Sequence, residues 1–220
     1  MTRFPYPQSE DITIDAGNVP LQGTLTLPEM SSALVVFVHG SGSSRFSPRN
    51  RYVAEVLQDA GLATLLFDLL TPDEEVIDER TRALRFDIAL LSERMVATVD
   101  WIQSRNRLKP FPLGLFGAST GAAAALNTAA VRPDQVKAVV SRGGRPDLAM
   151  TALPDVQAAT LLLVGGNDTV VIDLNEQAAQ RLNTRHELTI VPGATHLFEE
   201  PGKLEKVAEL ARDWFLRELV

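Results

Sequence analysis

Gly117-Ala118-Ser119-Thr120-Gly121 sets a serine between two glycines, two residues from each. A serine hydroxyl is a poor nucleophile until a neighbouring base takes its proton and a third group fixes that base. The spacing suits a serine on a tight, strained turn between a strand and a helix, so that Oγ stands clear while the glycines let the two backbones approach. Leu113–Phe116 supplies an apolar strand before the turn, and an alanine-rich helix start follows it. The positive end of that helix would lie where an oxyanion develops.

Such a serine needs an acid and then a histidine later in the chain. Leu161-Leu162-Leu163-Val164-Gly165-Gly166-Asn167-Asp168 places Asp168 just beyond a buried strand, at the carboxyl end where ligands gather in open α/β sheets. Ile190-Val191-Pro192-Gly193-Ala194-Thr195-His196 places His196 just beyond the last strand. Of three histidines, His186 precedes that strand and His39 ends the first buried one, so His196 alone follows both Ser119 and Asp168. Asp173 is the rival acid, but it suits an N-cap for a helix beginning at Leu174.

His39-Gly40-Ser41-Gly42-Ser43-Ser44 follows the first buried strand and suits an oxyanion loop. The backbone N–H groups of Ser41 and Thr120 are the expected donors. A phosphate-binding loop would need a G-x-x-x-x-G-K-[ST] or G-x-G-x-x-G pattern, and neither is present here.

These residues need a scaffold. Asp11–Asp15 and Leu21–Leu27 alternate polar and apolar residues around the turn pair Gly17-Asn18, which predicts an antiparallel hairpin. Leu34–Val38, Ala63–Phe67, Leu113–Phe116, Val136–Val140 and Ala159–Val164 are continuous apolar runs, as in strands buried on both faces. Helical segments are expected over Pro48–Ala60, Thr81–Arg105, Thr120–Val131, Leu174–Leu182 and Lys203–Leu219, with a last strand at Glu187–Val191. The alternation predicts an α/β fold with a mainly parallel central sheet and helices on both faces. Thr71–Arg82 is rich in acids and is expected to be a solvated loop and helix start, or else a moving flap over a site.

The composition narrows the function. With 28 Asp and Glu against 21 Lys and Arg, the net charge of -7 argues against nucleic-acid binding. The absence of cysteine removes disulfides, thiolate metal sites and a cysteine nucleophile. No apolar run reaches the ~20 residues of a membrane span, and Met1–Glu10 lacks the apolar core of a secretory signal. The expectation is one domain over residues 1–220, cytoplasmic, without membrane attachment.

With these residues placed, the chain resembles the α/β-hydrolases of the dienelactone-hydrolase-like group. The resemblance runs nearly end to end and rests on His39-Gly40, Gly117–Gly121, Gly166–Asp168 and Gly193–His196. Gly40–Asn50 and Ser141–Leu148 resemble a bacterial subgroup, some members of which carry a fused phosphoribosyltransferase domain. Dienelactone hydrolases proper use a cysteine nucleophile, where this chain has Ser119. The resemblance therefore implies a serine esterase for small carboxylic esters, with no metal or organic cofactor. The short Arg142–Ala159 segment implies little or no lid. A thioesterase, lactonase or acyltransferase on the same triad, or a non-catalytic binding protein on this fold, stays open. Arg142, at the rim beside Ser119, is expected either to grip a substrate carboxylate or to pair with Asp68, with Arg45 and Arg49 adding positive potential.

Overall fold

The computed structural model describes residues 8–220. The expected hairpin is present: β1 (Gln8–Asp15) pairs antiparallel with β2 (Pro20–Leu27). Its turn uses Gly17 and Asn18, both at positive φ. β2 then runs antiparallel to β4 (Ala63–Phe67), and from there every pairing is parallel. The remaining strands are β3 (Leu34–Val38), β5 (Leu113–Ala118), β6 (Val136–Arg142), β7 (Ala159–Gly165) and β8 (His186–Val191), in spatial order β1-β2-β4-β3-β5-β6-β7-β8. β3, β4 and β5 are buried along their whole length, as their unbroken apolar runs demand.

Helices cover both faces. α1 (Pro48–Asp59) and the last helix, Lys203–Leu219, cover one face. Val53, Leu57, Trp214 and Phe215 close there over Phe37, Phe116, Val140 and Leu163. On the other face Met95, Val99 and Ala123–Leu126 close over Leu34, Val36, Leu115, Val139 and Leu162. The alternation of these two sets along each strand is the period-2 geometry of the pleat.

Two expectations are corrected. The acidic stretch is a helix of its own, α2 (Pro72–Thr81), so no single helix runs from Thr81 to Arg105. Thr71 Oγ1 accepts from the Glu74 N–H and Glu74 returns a carboxylate to the Thr71 N–H, which closes both ends of a capping box. Arg82 in the left-handed region ends α2. A 3₁₀ turn at Leu84–Phe86 follows, and α3 (Ile88–Gln103) starts afresh with Asp87 as its cap. After α4 (Thr120–Val131), α5 (Thr169–Ala179) begins five residues earlier than expected. Asp173 therefore lies within α5 and caps nothing, while Asp168 holds the N-cap position. The last helix is α6.

Candidate active site

Three loops at the carboxyl edge of the sheet carry the site. Between β5 and α4, Ser119 has φ 51° and ψ -121°, a strained conformation for a non-glycine residue and the one that pushes its side chain out of the turn. The flanking glycines are sterically required. A Cβ on Gly117 would fall 2.5 Å from Ala122 Cα, and one on Gly121 2.2 Å from the Val38 carbonyl oxygen.

Asp168 leaves β7 through Gly165, whose carbonyl accepts the Asp168 N–H at 3.0 Å. Its N-cap position would let the carboxylate bind the first amides of α5, yet it makes no such bond. The carboxylate instead meets His196 Nδ1 at 2.6 Å, and His196 Nε2 lies 3.3 Å from Ser119 Oγ. All three side chains are half-buried. The acid and histidine loops are laced together, Gly166 N–H to Val191 O at 2.8 Å and Asn167 N–H to Ala194 O at 2.9 Å. Glu200 accepts the Thr195 N–H on both oxygens, which fixes the turn carrying His196. Hydrogen bonds from Thr195 hold the Glu200 carboxyl below its usual range.

The oxyanion loop stands against the nucleophile. A side chain on Gly40 would lie 3.1 Å from Ser119 Cβ. His39 braces this loop from below. Its Nε2 accepts the Leu69 N–H at 3.1 Å, so the proton is on Nδ1 and is donated to Gly40 O at 2.9 Å. Burial pushes the His39 imidazole below its usual range, against the raising effects of Gly40 and Asp68. Of the two expected donors, the Thr120 N–H is the first amide of α4, with no partner within its helix. The Ser41 N–H is engaged, donating to Thr120 Oγ1 at 2.9 Å.

Beside the oxyanion loop opens a cleft of about 290 Å³ between Ser41, Leu69, Leu70 and the inner side of α2. Glu75 and Glu79, one helical turn apart, face it. Burial, then the charges of Asp68 and Glu79, raises the Glu75 carboxyl. Asp78 is buried, which alone would raise its carboxyl, but hydrogen bonds from Arg85 and Leu84 hold it below its usual range. The sequence marked Thr71–Arg82 as acid-rich and offered it as a flap, but it did not single out Glu75 and Glu79, at i, i+4, as the wall of a cleft.

Arg142 occupies the rim as expected, its carbonyl accepting the Ser119 N–H at 3.1 Å. It does not pair with Asp68. That carboxylate is held by the Arg45 guanidinium and the Arg45 N–H. Arg45 is thereby neutralised, and Arg49 pairs with Glu199 at 3.0 Å. His186 opens β8 at the opposite edge of the sheet from Ser119, with Nδ1 2.9 Å from Thr184 O. Among the described residues no group of three or more His, Asp or Glu side chains is placed to hold a metal.

A mainly parallel eight-stranded sheet, flanked by helices and carrying serine, acid and histidine on the loops after β5, β7 and β8, defines an α/β-hydrolase fold. The chain belongs to the dienelactone hydrolase family, whose model matches residues 21–218. It is 57% identical to a dienelactone hydrolase from Anabaena variabilis, with a TM-score of 0.96 over 97% of this chain and 99% of that one. Est1E from Butyrivibrio proteoclasticus shares the fold at 17% identity and a TM-score of 0.79, covering 94% of this chain and 98% of that one. Curated proteins from two Mycobacterium tuberculosis strains, CDC 1551 and H37Rv, bear a phosphoribosyl transferase name and are 56% identical over 215 residues. These residues are 98% of this chain but 48% of each relative, so the chain spans about half their length. Family and neighbours support a hydrolase. Among the described residues no helix is long and apolar enough to cross a membrane.

Proposed function

We propose that this chain hydrolyses small carboxylic esters through an acyl-enzyme on Ser119. The observation that carries the reading is the unbroken relay from Asp168 through His196 to Ser119, at 2.6 and 3.3 Å. In this reading His196 Nε2 takes the hydroxyl proton as Ser119 Oγ attacks the ester carbonyl, then returns it to the leaving alcohol. Asp168 holds the Nδ1–H tautomer and stabilises the imidazolium. Water attacks the acyl-enzyme with His196 again as base, releasing the acid and restoring Ser119. The Thr120 and Ser41 N–H groups hold the oxyanion. A developing oxyanion is a stronger acceptor than a hydroxyl, so it displaces Thr120 Oγ1 from the Ser41 amide. The name of the Anabaena relative extends the candidate substrates to lactones, which open by the same two steps.

Only residues 143–158, with two short 3₁₀ turns, join β6 to β7, and no cap domain grows there. The reading therefore favours short acyl chains. The test combines a fluorophosphonate probe with a p-nitrophenyl ester series. Wild type should be labelled and should turn over acetate and butyrate faster than long-chain esters. Ser119→Ala should lose labelling and at least about 10³-fold in kcat with an unchanged Tm. An unlabelled wild type, or a Ser119→Ala variant of near-wild-type rate, would reject the nucleophile and leave a binding protein on this fold.

A further inference from the structure

Arg142 is the last residue of β6, and its backbone touches that of Ser119. Ala138 and Val140, four and two residues earlier, belong to the core beneath α1 and α6, so the Arg142 side chain points to that face. The residue is 7% exposed. Its Nε and Nη1 are fully buried and have no hydrogen-bond partner. Among the described residues no carboxylate forms an ion pair with it.

The charge acting on this guanidinium is another cation, Arg49 of α1. Burial and that repulsion together lower Arg142 to about 10. Arg49 does not resolve the imbalance. Its acid, Glu199, is 61% exposed and takes only Nη1, while Arg49 Nε is also buried without a partner. Two arginines and one solvated carboxylate leave about one uncompensated positive charge behind the nucleophile. An unpaired buried ion is among the costliest features a fold can carry, and buried charges are as a rule paired. The positive end of α1, which begins at Pro48, adds to the same potential.

We propose that Arg142 and Arg49 form a binding site for an oxyanion group, a carboxylate or a phosphate, that supplies the missing charge. A planar guanidinium with free N–H groups matches two oxygens of either group. The oxyanion is a free small anion or the charged end of a substrate whose ester reaches Ser119, and the second case rests on the hydrolase function proposed above. The site adjoins the loops of Ser119 and His196. Gly143, next after Arg142, lies so near the His196 carbonyl that a Cβ there would be 3.0 Å from it, and Glu199 follows His196 by three residues.

The first arm of the test is thermal denaturation in sodium phosphate or sodium acetate, against sodium chloride at equal ionic strength. Wild type should gain about 2–4 °C in millimolar phosphate or acetate, and Arg142→Met should gain nothing. Arg49→Gln should show a smaller gain than wild type, a second check should Arg142→Met fold poorly. The second arm compares mono-p-nitrophenyl succinate with its neutral methyl ester. A loss in Arg142→Met of at least about 10-fold in kcat/KM, confined to the charged ester, assigns the group to the substrate. Equal losses on both esters, with the anion-dependent stabilisation intact in wild type, assign the site to a free anion. Absence of both the stabilisation and the charge selectivity would overturn the proposal. The thermal arm requires no catalysis, so it stands or falls apart from the esterase function.

Discussion

One hydroxyl group decides how the oxyanion would be held. Thr120 Oγ1 accepts the Ser41 N–H at rest. If both oxyanion donors are backbone amides, the threonine oxygen is a placeholder that leaves when substrate arrives. Thr120→Ala should then keep kcat within about 10-fold of wild type on p-nitrophenyl acetate. A loss of about 10²–10³-fold, the usual cost of a missing donor, would make the side chain a donor in its own right. His39 gives a second outcome at this scale. Burial lowers its folded pKa below the unfolded value, so the unfolded chain binds more protons between the two. The stability contributed by neutral His39 is complete above the unfolded pKa, about 6.5, and falls as pH drops below it. Urea denaturation at pH 7 and pH 5 should show a larger loss for wild type than for His39→Gln. The difference should not exceed about 1.4 kcal/mol per pH unit. An equal loss in both proteins would mean that His39 is already charged in the fold. Much at this scale was legible. Ser119, Asp168 and His196 each follow an apolar run, and strand ends are where such a sheet gathers its chemistry. The Ser41–Thr120 bond was not legible, because it depends on one rotamer across 79 positions of sequence.

At the scale of elements, α2 matters most, since its Glu75 and Glu79 wall the cleft beside the oxyanion loop. Its capping box binds it at the start, and Glu74 reaches Arg94 of α3 at 2.7 Å. Thr71→Ala removes the side-chain acceptor of the Glu74 N–H. It should cost about 0.5–2 kcal/mol in urea denaturation. A cost indistinguishable from zero would show that the Glu74–Arg94 pair and the burial of Asp78 hold α2 without its cap. The acid-rich sequence concealed this helix. Its apolar residues Val76 and Ile77 are exposed, so no amphipathic stripe marks it, and the signal lay in Thr71-Pro72-Asp73-Glu74 alone. The strands were plainer, because burial on both faces leaves little room for polar residues in β3, β4 and β5. The start of α5 was misplaced because the cap was given to Asp173, which left Asp168 free to serve His196. In the structure Asp168 holds the N-cap position and still turns its carboxylate to His196.

At the scale of the molecule, the three loops of the site are separated by most of the second half of the chain but adjoin one another at one sheet edge. That topology sets an order of events during folding. Local elements such as α3 and α4 form early, whereas parallel pairing of β5 through β8 must close long loops first. His196 hangs between β8, the last strand in the sequence and an edge of the sheet, and α6, which packs on α1 from the other end of the chain. Activity is thus a late clock. In refolding from urea, helical circular dichroism should return first, and ester turnover should return only with the burial of Trp214. That side chain seals α6 against β7 by donating to the Ala159 carbonyl at 3.3 Å. A Trp101→Phe variant leaves Trp214 as the sole tryptophan to report that step. Turnover that recovers before the Trp214 signal would mean that the sheet edge can be assembled without its closing helix. Turnover that waits for it makes α6, which carries no residue of the relay, the element that times its appearance.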